Sequence, residues 1–157
     1  MYNRRRQYSF EEVLDKLMRY CAFQERSPQE VLIKADKYGM SKQQKADLLH
    51  YLEEENFVDE GRFALAYTSG KVKIKHWGKY KLIEGLRSKG VTQASIQDAL
   101  ESISEEQHKE NLQHWLNKKL PIDKDDQKEK AKLYRFLLSK GFESDEISKV
   151  LREVGLM

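Results

Sequence analysis

The sequence predicts an all-α protein built from three tandem three-helix repeats, and two kinds of observation carry that expectation. The first is a period: Gly39, Gly90 and Gly141 follow one another at intervals of 51 residues. The second is that apolar residues recur at the same offsets around each glycine. Val31, Leu82 and Leu133 stand eight positions before it, Ala35, Leu86 and Leu137 four before, and Met40, Val91 and Phe142 one after. Beyond the glycines come Leu48, Ala99 and Val150, then Leu49, Leu100 and Leu151, then Leu52, Ile103 and Val154. Spacings of three and four describe two amphipathic helices, each with one face to bury. The glycine between them stands where the first helix stops in a left-handed turn.

Taken in order, residues 1–8 form a basic tail, with Arg4, Arg5 and Arg6 and no acid, and are expected to be flexible. Repeat one covers residues 9–57. Ser9 with Glu12 makes a capping box before Val13, Leu14, Leu17 and Met18, and Ser27-Pro28-Gln29-Glu30 opens the second helix. Ser41 with Gln44 opens the third. Repeat two covers residues 58–103: Asp59 caps a helix carrying Phe63, Ala64 and Tyr67, and Thr92 or its neighbours cap the last helix. Within it, residues 71–75 read Lys-Val-Lys-Ile-Lys, a period of two that suits a strand. The helical patterns on both sides, and the lack of a second strand to pair with, favour helix there as well. Repeat three covers residues 104–157, with Ser104 and Gln107 before Leu112, Trp115 and Leu116, and Ser144 expected to cap the last helix before Asp145 and Glu146.

Composition narrows the function. The 157 residues are 35% charged, but 29 Lys and Arg nearly cancel 26 Asp and Glu, and apolar residues run the whole length, which excludes a disordered chain. Cys21 is the only cysteine, so no intramolecular disulfide, thiolate zinc cluster or Cys-x-x-Cys pair is available. The basic start is followed by no apolar run, and no stretch is long and apolar enough to span a bilayer. A monomer in the cytoplasm is the expectation. His50, His76, His108 and His114 form no metal-ligand spacing, and neither a nucleophile elbow nor a dinucleotide-binding glycine turn occurs. The chain therefore reads as a binding protein without catalytic residue, metal or cofactor.

Charge is unevenly spread. Residues 11–60 carry 7 bases against 12 acids, whereas residues 71–89 carry 7 bases against Glu84 alone. That island holds Lys71, Lys73, Lys75, Lys79, Lys81, Arg87 and Lys89, interleaved with His76, Trp77 and Tyr80. Cations among aromatic rings suit phosphate neutralisation and base stacking. A solvated lysine-rich helix face beside two core aromatics has the same composition, and an acidic protein surface would attract the same island.

The string Val58-Asp59-Glu60-Gly61-Arg62-Phe63-Ala64, followed by Gly78, Lys79, Leu82 and Leu86-Arg87-Ser88-Lys89-Gly90-Val91, resembles the central signature of the bacterial RecX proteins, regulators of the RecA recombinase. Arg26-Ser27-Pro28-Gln29-Glu30-Val31 and Arg135-Phe136-Leu137-Leu138 with Lys140-Gly141-Phe142 resemble that family's first and third units. Two details depart from it: Lys79 stands where proline is common, and Lys34-Ala35 where Lys-Leu is usual. The resemblance implies an elongated, curved array that lies along a RecA filament on single-stranded DNA. It also implies lowered ATP turnover, strand exchange and RecA-assisted repressor cleavage in the SOS response, DNA repair and homologous recombination. On that reading Arg62, Lys71, Lys73, Lys75, Lys79, Lys81, Arg87 and Lys89 are the candidates for contact with RecA or DNA, with Arg62, one turn from Asp59, equally open to pairing with Asp59 or a neighbouring unit. Asp59, Phe63, Ala64, Gly39, Gly90 and Gly141 are structural. A stand-alone nucleic-acid binder built from helix-turn-helix-like units is the alternative.

Overall fold

The computed structural model describes residues 6–157, and among them nine α-helices and no strand. The first three are α1 (Phe10–Phe23), α2 (Pro28–Lys37) and α3 (Lys42–Glu54). Next come α4 (Glu60–Ile74), α5 (Lys79–Ser88) and α6 (Gln93–Glu101), then α7 (Glu105–Lys119), α8 (Gln127–Ser139) and α9 (Ser144–Glu153). Such short helices leave a large share of their backbone groups unpaired at the ends, and local side chains meet most of that need. Ser9, Ser27, Ser41, Asp59 and Ser104 each accept the backbone N–H three residues on, at 2.8–3.1 Å. Glu30 and Gln44 return the bond to the backbone of Ser27 and Ser41, completing two capping boxes.

The last helix of each unit shows how the scheme varies. Thr92 caps α6, but position three of that helix is Ser95, too short to reach back; Glu60 from the start of α4 accepts from the Thr92 backbone (3.0 Å) and both hydroxyls instead. Ser144 is not the cap of α9. Glu143 holds that place, as its position 51 residues after Thr92 requires, and its N–H is met by Glu146 at 3.3 Å. Ser144 lies inside the helix and shares a hydrogen bond with the hydroxyl of Tyr134.

The lysine-alternating stretch is helical: α4 runs to Ile74, with Val72 buried and Ile74 73% exposed. The helix stops where His76 takes a positive φ of 55°. Each unit has its own core. Val13, Leu17, Val31, Ala35, Leu48 and Leu52 fill the first, and Phe63, Ala64, Leu86, Val91, Ile96 and Ala99 the second. Leu112, Leu116, Leu133, Leu137, Phe142, Ile147 and Leu151 fill the third. One expected apolar position is displaced: Val154 is 42% exposed, and α9 buries Ile147 and Leu151 where α3 buries Leu48 and Leu52. The residue of α3 that corresponds to Ile147 is Lys45, whose ammonium goes out to Asp36 at 2.9 Å, so α3 turns a different edge inward.

The inner end of the expected tail is not free. The Tyr8 ring meets Tyr38 edge-on at 5.0 Å, and Arg6 lies over Tyr8 while pairing with Glu12 at 3.3 Å. Arg4 and Arg5 lie outside the described residues. Cys21 is buried in the first core, where burial pushes its thiol up to about 11. At pH 8 that leaves a thiolate fraction roughly a hundredfold below that of an ordinary thiol. Alkylation by iodoacetamide at pH 8 is therefore expected to be at least about a hundredfold slower in the folded chain than in the urea-unfolded chain. Equal rates would mean that the first core stands open.

Candidate nucleic-acid interface

Consecutive units meet at two joints, and the second is built from helix ends. The backbone N–H of Gly78 donates to the Lys140 carbonyl (2.8 Å) and that of Tyr80 to the Gly141 carbonyl (3.0 Å). The amino end of α5 thus satisfies carbonyls at the carboxyl end of α8, orphan donors against orphan acceptors with dipoles aligned favourably. Gly141 holds a φ of 102°, and a Cβ on Gly78 would lie 2.4 Å from the Gly141 carbonyl oxygen, so backbone meets backbone here. On the other side of the joint, α7 caps the end of α4. The buried amide of Asn111 donates to the carbonyls of Val72 (3.0 Å) and Trp77 (3.2 Å), and the Trp115 indole N–H donates to the His76 carbonyl (2.7 Å). Gln107 donates to Asn111 Oδ1 at 3.0 Å and fixes the amide's orientation.

The first joint uses side chains in the same places. Gln29, the counterpart of Tyr80, lies against Gly90, the counterpart of Gly141. Glu30 pairs with Lys89 at 3.7 Å. Arg62 spans the joint: its Nε donates to Glu25 Oε1 (2.9 Å), and its terminal nitrogens donate to the side chain and backbone oxygens of Asn56 (2.8 and 3.0 Å). Its guanidinium is engaged within the chain, in a pairing with a neighbouring unit that the sequence leaves open beside an outside contact.

At the second joint the counterparts of Glu30 and Lys89 are Lys81 and Lys140, two cations. They head a cluster. Lys81 lies over Trp77 at 5.0 Å and its Nζ reaches the Ser139 carbonyl at 3.4 Å, with Lys71 over the same ring at 4.9 Å. Lys140 lies over Trp115 (4.2 Å) and Phe136 (5.3 Å), Lys119 over Phe136 (4.4 Å) and Lys118 over Trp115 (5.5 Å). His76 and His114 stack beside them, 3.7 Å between ring centres. Among the described residues none of these five lysines has a carboxylate within salt-bridge distance. Burial first, and then the charges of Lys81, Lys119 and Lys118, pull the Lys140 ammonium below the ordinary lysine range. Burial, His76 and Lys118 lower His114 in the same way.

The structure thus redistributes the basic island. Lys71 and Lys81 join the cluster, while Lys73 and Lys75 stay exposed at the end of α4. Lys79 lines a different cleft with His108, Glu143 and Glu146, beside the 2.6 Å Tyr80–Glu143 hydrogen bond. Arg87 is exposed and donates to Gln93 at 3.4 Å, and Lys89 is paired with Glu30. The additional members, Lys118, Lys119 and Lys140, come from residues 90–157, a stretch with more acids than bases, so counting charge by segment hides them. The signal that would have found them is the repeat itself, which sets Lys81 and Lys140 where the preceding pair is Glu30 and Lys89.

These features define a class: an array of three-helix units, joined through helix ends and the side chains beside them, with cations and aromatic rings gathered at one joint. The comparisons name it more closely. Residues 59–100 match the family model of the second three-helix domain of RecX, and residues 105–151 that of the third. The regulatory protein RecX of Prosthecochloris aestuarii is 30% identical over 147 residues, 91% of this chain and 93% of the relative. The regulatory protein RecX of Clostridium botulinum strain Eklund 17B is 37% identical over 109 residues, 67% of this chain and 50% of that relative. The chain thus spans about half the length of its clostridial relatives. The crystal structure of RecX from Lactobacillus salivarius superposes with a TM-score of 0.76 at 18% identity, over 94% of this chain and 97% of that one. The chain belongs to the RecX family.

The joints make a stability prediction. Gly39 has a positive φ of 75° but nothing within 4 Å of an added Cβ, so Gly39→Ala should cost about 1 kcal/mol of backbone strain. Gly78→Ala drives a methyl into backbone and strains two main-chain hydrogen bonds, an expected loss of about 3 kcal/mol. Urea titrations of the two variants check this, and equal costs would show that the second joint does not form in solution.

Proposed function

We propose that this chain is a regulator of RecA that binds the RecA filament on single-stranded DNA and restrains its ATPase, recombinase and co-protease activities. Membership of the RecX family is the observation that carries this reading. The cation cluster supports it, because a RecA–DNA assembly offers phosphates and acidic side chains in quantity, and a serial array offers a long surface to meet them. On this reading the chain works as a cytoplasmic monomer by occupancy alone, without catalysis or cofactor. No described helix is long and apolar enough to cross a membrane.

Added to preformed filaments of its own host's RecA on single-stranded DNA, the chain should slow ATP hydrolysis at or below one chain per RecA. Unchanged hydrolysis at saturating concentration would sink the proposal. Replacing Lys73, Lys75 and Lys81 by Glu together should raise the concentration needed for half-inhibition about thirtyfold, as the loss of three contacts worth about 0.7 kcal/mol each implies. Full inhibition by this variant would move the contact to another face.

A second reading, direct binding of nucleic acid as the main activity, is favoured by the lysine–aromatic cluster at the second joint. It requires tight, steeply salt-dependent binding without RecA. Weak binding alone with strong inhibition of RecA would decide for the regulator.

A further inference from the structure

The two joints bring the same repeat positions together with opposite electrostatics. At the first, the Glu30 carboxylate sits against the Lys89 ammonium; at the second, the same two places hold Lys81 and Lys140, with Lys118 and Lys119 close enough to depress Lys140 further. The main-chain hydrogen bonds from Gly78 and Tyr80 fix the second joint in spite of this repulsion. The aromatic faces of Trp77, Trp115 and Phe136 hold the ammonium groups in place through cation–π contacts. Cations held together in this way attract an anion, which would offset their mutual repulsion.

We infer that the second joint is a binding site for phosphate groups of single-stranded nucleic acid, in which a phosphate between Lys81 and Lys140 takes the place that the Glu30 carboxylate holds at the first joint. The strand then acts as a clamp between the second and third units. A phosphodiester suits the site better than a carboxylate, because several separate ammonium groups converge there and lysine binds phosphate as a point charge. Successive phosphates of one strand can also serve Lys71, Lys118 and Lys119, which lie over the same three rings. Binding relieves the repulsion within the cluster, so occupancy and firmness of the joint are linked, each strengthening the other.

The site is independent of the regulatory reading, since it is measured on the chain alone. Affinity for fluorescent oligothymidylate, followed by anisotropy against salt, should fall with a log–log slope of about 0.7 for each phosphate contacted. Lys81→Glu recreates the acid–base pair of the first joint and removes two cations from service, so the slope should drop by about 1.4. Lys140→Gln, which introduces no new pair, should lower it by about 0.7, and Lys42→Glu on the distant first unit should leave it unchanged. Without ligand, Lys81→Glu should raise Tm at low salt, whereas oligothymidylate should raise Tm of the wild-type chain by more than it raises that of this variant. If inorganic phosphate at matched ionic strength also raises Tm of the wild-type chain, one phosphate suffices; if only the oligomer does, the strand is required. Equal slopes for Lys81→Glu and Lys42→Glu would overturn the inference. So would stabilisation by polyglutamate equal to that by oligothymidylate, which would assign the cluster to an acidic protein. A wild-type chain that shows these slopes but leaves RecA hydrolysis unchanged would sink the regulator and leave the site standing.

Discussion

Short helices carry a problem that longer ones dilute: several amides at one end and several carbonyls at the other have no partner inside the helix. Nine helices of 9–15 residues among the described residues make this the governing constraint of the fold. Within a unit, Ser, Thr and Asp side chains answer it. Between the second and third units it is answered mutually, with α5 amides on α8 carbonyls and α7 side chains on the carbonyls that end α4. The seating of the third unit on the second therefore follows from the need to satisfy backbone groups. Apolar burial, divided into three separate cores, supplies each unit's own cohesion.

How much of this was legible depended on whether the responsible contact was local. Caps such as Ser27 with Glu30 announce themselves within four residues, and the 51-residue period exposes the glycine turns, because both are nearest-neighbour requirements of the chain. Ser144 misled because a serine beside two acids looks like a cap in isolation, whereas the repeat points one residue earlier, to Glu143. Val154 misled for a related reason: Lys45 in α3 changes which edge of that helix faces inward, so strict equivalence of third-helix positions fails. Glu60 could not have been foreseen as the partner of Thr92 and Ser95, since nothing in sequence links positions 32 and 35 residues apart.

The candidate site sat between these cases. Cations of residues 71–89 were visible as a run, but a run says nothing about direction. Folding separates them: Arg87 and Lys89 find partners in the chain, Lys79 turns toward an acidic cleft, and Lys71 and Lys81 meet three lysines of the third unit. The assembled surface belongs to neither unit. Arg62 makes the complementary point, because a residue inside a family signature can be kept for holding two units together.

The joint between the second and third units also has a mechanical character. Across it run two parallel main-chain hydrogen bonds, from Gly78 and Tyr80, with almost no side-chain bulk between the two strands of backbone. A load applied along the array falls on those two bonds together with the Asn111 and Trp115 bonds to the end of α4. Bonds loaded side by side resist until all give way, so such a joint yields abruptly rather than by degrees. A chain held at both ends by a partner that lengthens or shortens would therefore behave less like a spring than like a latch.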